Sequence, residues 1–148
     1  MLFTNKSFTS LPPLLFHNNI IQRTTHHKHL GVTIDEALNF KVHISDICHK
    51  LSRNVCLLYQ VKDLVPITIL KILYNAHILP HLQYCMPIWC NTYPTHLIAL
   101  FRLQKKILRI ITNSNFYDHT QPLFKETRIT KLFDLNKLQI AIYMYKNI

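Results

Sequence analysis

Glycine is almost missing from this chain, with one among 148 residues, Gly31. That excludes a Gly-rich phosphate loop and leaves little flexible linker. Acids are also scarce: Asp35, Glu36, Asp46, Asp63, Asp118, Glu126 and Asp134 stand against 17 Lys and Arg. Only Asp35 and Glu36 are adjacent, and neighbours on an extended chain or in a first helical turn point apart. Two-metal phosphoryl transfer needs convergent carboxylates, so this chemistry is not expected, and Asp35 reads as an N-cap or turn residue. The four cysteines, Cys48, Cys56, Cys85 and Cys90, form no Cys-x-x-Cys pair, and no local signature marks a Cys–His nucleophile. Taken alone, the chain does not read as an enzyme, and no catalytic residue is assigned.

No membrane span is expected either. The most apolar stretch, "ITILKILYNAHILPHLQYCMPIW", carries Lys71, Asn75, His77, His81, Gln83 and Pro80. A central Lys alone costs on the order of 2.5–3.5 kcal/mol in a bilayer, so the stretch reads as a core helix. The start, "MLFTNKSFTSLPPLLF", has no basic region leading into a clean apolar run. Free thiols in a reducing, intracellular compartment are expected, with nucleus and cytoplasm both open.

What is present is apolar bulk and positive charge. Hydrophobic residues make up 49%, enough for one domain with a core, and the formal net charge is +10 with ten histidines counted as neutral. Such a balance points to polyanionic partners, nucleic acid above all. No repeat or low-complexity tract is visible.

The spacing predicts an α+β chain, mainly α. Residues 1–34 read as β-rich and residues 35–148 as a helical bundle. "LLFHNNIIQR" is two short apolar runs around Asn18 and Asn19, a pair suited to a tight hairpin turn. "HKHLGVTI" reads as a third strand, with Leu30, Val32 and Ile34 on one face. From His43 to Leu58, Ile44, Ile47, Cys48, Leu51, Val55 and Leu58 recur at helical steps. Pro66 opens a second helix as a first-turn residue, running to about Leu79, and Pro80 breaks or kinks it. "QYCMPIWCNTYP" reads as a short helical piece and a loop. A third long helix spans about Thr95 to Thr112, "NSNFYDHTQP" is a loop, and a fourth helix runs from about Ile129 through Leu132, Leu135, Leu138 and Ile142. The close at "MYKNI" predicts an interrupted reading frame.

The helix "THLIALFRLQKKILRIIT" carries the clearest constellation. Arg102, Lys105, Lys106 and Arg109 fall within about 100° of one another, opposite Leu97, Leu100, Gln104, Ile107, Leu108 and Ile111. Four cations with no acid among them can meet successive phosphates; a solvated outer face is the alternative. His77, His81, Cys85 and Cys90 raise a zinc reading, because steps of four bring the first three onto one helical face. Pro80 interrupts that face, and core packing or capping is the competing role.

Four segments in order, "HLGVTIDEALNFKVHI", "LYNAHILPHLQYCMPIW", "LFRLQKKILRIIT" and "HTQPLFKETRI", closely resemble the reverse transcriptase of LINE-type, non-LTR retrotransposons after its catalytic palm. "HLGVTID" matches the Leu-Gly motif called the primer grip, "MLFTNKSF" looks like the strand before it, and the helices look like the thumb. The resemblance implies that Leu30 and Gly31 lie against a primer strand, glycine permitting close backbone approach; a β-bulge glycine that only shapes the hairpin is the alternative. It implies that Arg102, Lys105, Lys106 and Arg109 meet phosphates of an RNA–DNA or DNA duplex. It further implies that the family's catalytic aspartates and their Mg2+ belong upstream, with palm and fingers as partners, so no cofactor is expected here. The expected function is that of a retrotransposon RNA-directed DNA polymerase fragment that holds template and primer. The alternatives are a non-catalytic protein-interaction module or inert remnant, and a zinc-binding module.

Overall fold

The protein is described from a computed structural model, which describes Met1, Phe3, residues 13–17 and residues 19–146. Most of "MLFTNKSF", Asn18, and Asn147 and Ile148 at the close of "MYKNI" lie outside the described residues.

Among the described residues, the N-terminal part is two separate antiparallel hairpins. In the first, β1 (Leu14–Phe16) pairs with β2 (Asn19–Ile21), with Phe16 opposite Asn19. Asn19 therefore opens a strand and is not in the turn, and His17 takes the positive φ of 46°. In the second, β3 (His26–His29) pairs with β4 (Val32–Asp35), with His29 opposite Val32. The single strand expected from "HKHLGVTI" is thus a hairpin that reverses at Leu30 and Gly31. Both turn residues have positive φ, 45° and 83°, which is the type I′ geometry that suits the right-handed twist of the flanking strands. Alternation fails at Leu30 because strand period ends there: Val32 is buried, whereas Leu30 is 76% exposed at the tip.

Helices follow: α1 (Lys41–Val61), α2 (Ile67–His77), α3 (Leu79–Gln83), α4 (Met86–Trp89), α5 (Pro94–Thr112), α6 (Thr120–Thr127) and α7 (Leu132–Lys146). The class is α+β, mainly α. The expected face of α1 is buried at Ile44, Ile47, Leu51, Val55 and Leu58, although the helix runs about a turn longer than its apolar pattern. Pro66 is the N-cap of α2 rather than its first-turn residue, and that helix stops at His77. Pro80 then sits in the first turn of α3, where its missing N–H is tolerated. The expected buried side of α5 is buried throughout, Gln104 included.

Helices α1 and α5 form the centre of the packing, with β4 on α1, α6 on α5, and α3 and α4 on α7. Trp89, Leu51, Ile78, Leu82, Leu100 and Ile107 are fully buried between them. Gln104, the most deeply buried amide among the described residues, is completely satisfied. Its Nε2 donates to the Tyr74 hydroxyl at 3.1 Å and to the Thr130 carbonyl at 2.9 Å, while Oε1 accepts from the Leu132 N–H at 2.9 Å. The last bond caps an orphan donor at the start of α7. Helix α7 differs from the expected continuous apolar stripe. Leu132 and Leu135 are buried, but Leu138 and Ile142 are 48% and 40% exposed.

Candidate nucleic-acid interface

The hairpin is held at its tip and at the far end of β4. On the bundle side, the Tyr84 hydroxyl donates to the Leu30 carbonyl at 2.6 Å. A Cβ built on Gly31 would meet the Tyr84 ring at 3.5 Å, an ordinary contact. The requirement for glycine there is therefore conformational, since φ near 83° is unfavourable for L side chains. Leu30 meets the same turn geometry with a side chain, and that bulky residue is mostly in solvent. On the other side, the Asp35 carboxylate accepts N–H bonds from Ala37, Asn39 and Phe40 at 3.2, 3.1 and 2.6 Å. These bonds fold residues 36–40 into the turn that starts α1, with Leu38 and Phe40 held at positive φ. Asp35 is a turn residue, and Glu36 pairs with Arg23 at 3.1 Å. The two adjacent acids serve the loop and do not converge as a two-metal site would require.

His43, on the first turn of α1, is buried. Its Nδ1 accepts the Thr33 N–H at 3.3 Å, and its ring lies edge-on to Trp89, 5.9 Å between centroids. Burial holds its pKa below the usual range, with Lys50 and Lys28 adding to the effect and Asp46 opposing it. A cavity of about 310 Å³ opens between the hairpin and α1, lined by Lys28, Gly31, His43, Asp46, Lys50 and Arg53 among others. Of these, only Gly31 stands out in the sequence. The signal available for the rest is the cationic spacing of Lys50 and Arg53, three residues apart on the helix, but their convergence with Lys28 depends on the hairpin reversal.

The four cations of α5 have different surroundings. Arg102 and Lys106 are exposed, while Lys105 and Arg109 are half-buried. The Lys105 ammonium lies 4.5 Å from the Phe101 ring centroid. Arg109 donates to the Asp118 carbonyl at 3.0 Å and stacks near Phe116, fastening the loop before α6. Lys106 and Arg109 line a separate cavity of about 170 Å³ with Tyr59, Lys62 and Phe116. The cavity that Gly31 lines contains none of the four α5 cations.

The zinc residues are not assembled. No group of three His, Cys, Asp or Glu that could hold a metal occurs among the described residues. His77 and His81 are exposed, whereas Cys90 is buried and its thiol is pushed up to about 11 by burial, which disfavours the thiolate a metal would need. All four cysteines are free. No helix among the described residues is long and apolar enough to cross a membrane.

The chain is 25% identical over 139 residues, 91% of its length, to the probable RNA-directed DNA polymerase from transposon X-element of Drosophila melanogaster. It is 24% identical over 135 residues to the RNA-directed DNA polymerase from mobile element jockey of Drosophila funebris, and 27% identical over 146 residues to that of Drosophila melanogaster. The chain spans only about 15% of the length of these relatives. No family model and no solved structure matches it. The resemblance to LINE-type retrotransposon reverse transcriptases, carried by four ordered motifs, thus extends over about nine-tenths of the chain.

Proposed function

We propose that this chain is the primer-grip and thumb part of a retrotransposon RNA-directed DNA polymerase, and that it holds the template–primer duplex without performing the chemistry. The observation that carries this reading is the Leu30–Gly31 tip. An apolar residue in a strained turn, 76% exposed yet fixed by Tyr84, is the kind of local strain that accompanies a contact site. The similarity to polymerases and the +10 charge support it further. Leu30 and Gly31 lie against the primer strand. Arg102 and Lys106, the exposed pair of α5, meet duplex phosphates directly, with Lys105 and Arg109 flanking them. Such contacts read backbone and shape, not sequence. The catalytic carboxylates and their Mg2+ belong to the remainder of the polymerase.

A second reading, a protein-interaction module, is favoured by the first hairpin. Leu14, Leu15, Phe16, Ile20 and Ile21 are all more than half exposed there, an apolar surface suited to docking on another part of the polymerase.

Fluorescence anisotropy of a labelled RNA–DNA hybrid, titrated at several salt concentrations, separates the readings. Duplex binding with a log–log salt slope of several units, weakened in the Arg102/Lys105/Lys106/Arg109 quadruple alanine variant, is expected. Arg102→Ala/Lys106→Ala spares the two half-buried cations and should show most of the loss. A folded, helical chain that binds no duplex would leave an interaction module or an inert remnant.

A further inference from the structure

The cavity beneath the hairpin tip has the makings of an anion site on a different helix from the α5 stripe. His43, Asp46, Lys50 and Arg53 follow one another at steps of three, four and three along α1, so they share one helical face. Lys28 comes from β3, opposite Thr33. Lys50 and Arg53 are exposed, and none of Lys28, Lys50 and Arg53 forms an ion pair with a carboxylate among the described residues. Three permanent cations thus surround the cavity against one carboxylate, Asp46.

The buried group is His43, only 6% exposed. Because Nδ1 accepts the Thr33 N–H, the neutral ring carries its proton on Nε2. That Nε2–H is buried and has no hydrogen-bond partner among the described residues, an unmet donor of the kind that ordinarily destabilises a fold. An acceptor entering the cavity would satisfy it. Lys50 also contributes to holding the nearby His81 below the usual histidine range, after burial. The region around Lys50 is therefore electropositive, and the neutral ring is favoured at both His43 and His81.

We propose that this cavity seats one backbone phosphodiester of the bound nucleic acid, with Lys28, Lys50 and Arg53 meeting its non-bridging oxygens and His43 Nε2–H donating to one of them. The proposal rests on the duplex-holding reading above. Gly31 adds no side chain to the rim, which leaves the approach open. Asp46 works against the anion.

The test uses the full chain and a labelled RNA–DNA hybrid across a salt series, with circular dichroism confirming that each variant is helical. Lys50→Ala/Arg53→Ala is expected to weaken binding about tenfold or more and to reduce the log–log slope by about 0.7–0.9 for each phosphate no longer neutralised. Asp46→Asn, on the exposed rim, is expected to tighten binding severalfold. The His43 imidazole nitrogen resonances should move on adding hybrid, and should not move with inorganic phosphate at the same ionic strength. If the wild type binds hybrid but Lys50→Ala/Arg53→Ala matches its affinity and slope within twofold, the cavity proposal is overturned and the duplex-holding reading stands. Saturation of the His43 shift by inorganic phosphate alone would overturn it in favour of a small-anion site. If the wild type binds no hybrid at all, the underlying reading fails and this site fails with it.

Discussion

Gln104 shows how one side chain can fasten three elements. From α5 it binds Tyr74 of α2, the Thr130 carbonyl and the first N–H of α7. Its position among leucines and isoleucines was legible from helical spacing, but its partners were not, because they lie 26 to 30 residues away in the chain. Gln104→Leu keeps the bulk and strands all three partners, so a loss of about 3 kcal/mol or more is expected, at about 1–3 kcal/mol per unsatisfied buried group. Thermal unfolding followed by circular dichroism should show a fall of roughly 10 °C in Tm for a chain of this size. An unchanged Tm would mean that water or rearranged neighbours replace the amide. Gly31 was legible in the opposite sense: its rarity marked it, but the pattern put it inside a strand, and only the pairing of His29 with Val32 makes it a turn residue.

At the scale of elements, legibility followed length and period. Helices α1 and α5 have five or more buried residues at regular steps, and their apolar patterns reach nearly to their ends. Helix α6 was not legible. It has eight residues, "TQPLFKET", of which Phe124 and Thr127 are buried, too short a run for an apolar stripe to repeat. The loop between β4 and α1 has no period at all, and its order comes from Asp35. Three N–H bonds to one carboxylate hold Leu38 and Phe40 in left-handed geometry that L side chains resist by about 1–2 kcal/mol each. Asp35→Ala should therefore lower stability by about 2 kcal/mol, the scale of hydrogen bonds to a charged acceptor. Asp35→Asn, which keeps an acceptor without the charge, should fall between. Urea unfolding curves would show this as an ordered shift of midpoints at constant slope. Equal midpoints for wild type and Asp35→Ala would mean that packing alone shapes the loop.

For the molecule as a whole, buried titratable groups set a pH range of greatest stability. His43 is held below the ordinary histidine value by burial. Its unfolded form takes up a proton that the folded form resists, so stability falls as pH drops below about 6.5. Cys90 acts at the other end. Its thiol stays protonated to about 11 when folded, against 9.0 unperturbed, so its contribution is complete below pH 9 and is lost as pH rises toward 11. That loss is about 2–3 kcal/mol at 1.36 kcal/mol per pKa unit, and Tyr74, also raised by burial, adds to it above pH 10. Tm measured from pH 5 to 11 should form a plateau between these limits. Cys90→Ala should lower the plateau but flatten its alkaline edge; an alkaline edge as steep as the wild type's would remove Cys90 as its cause.

The bond from Tyr84 to Leu30 spans 54 positions of sequence, and a second hydrogen bond continues from the same residue. The Tyr84 carbonyl accepts the indole N–H of Trp89 at 2.8 Å, and Trp89 is the single tryptophan of the chain. The molecule therefore contains its own optical reporter. A fluorophore shielded from solvent sits two hydrogen bonds from the hairpin tip, so an event that displaces Leu30 has a direct route to the emission of one indole, and no attached dye is needed to observe it.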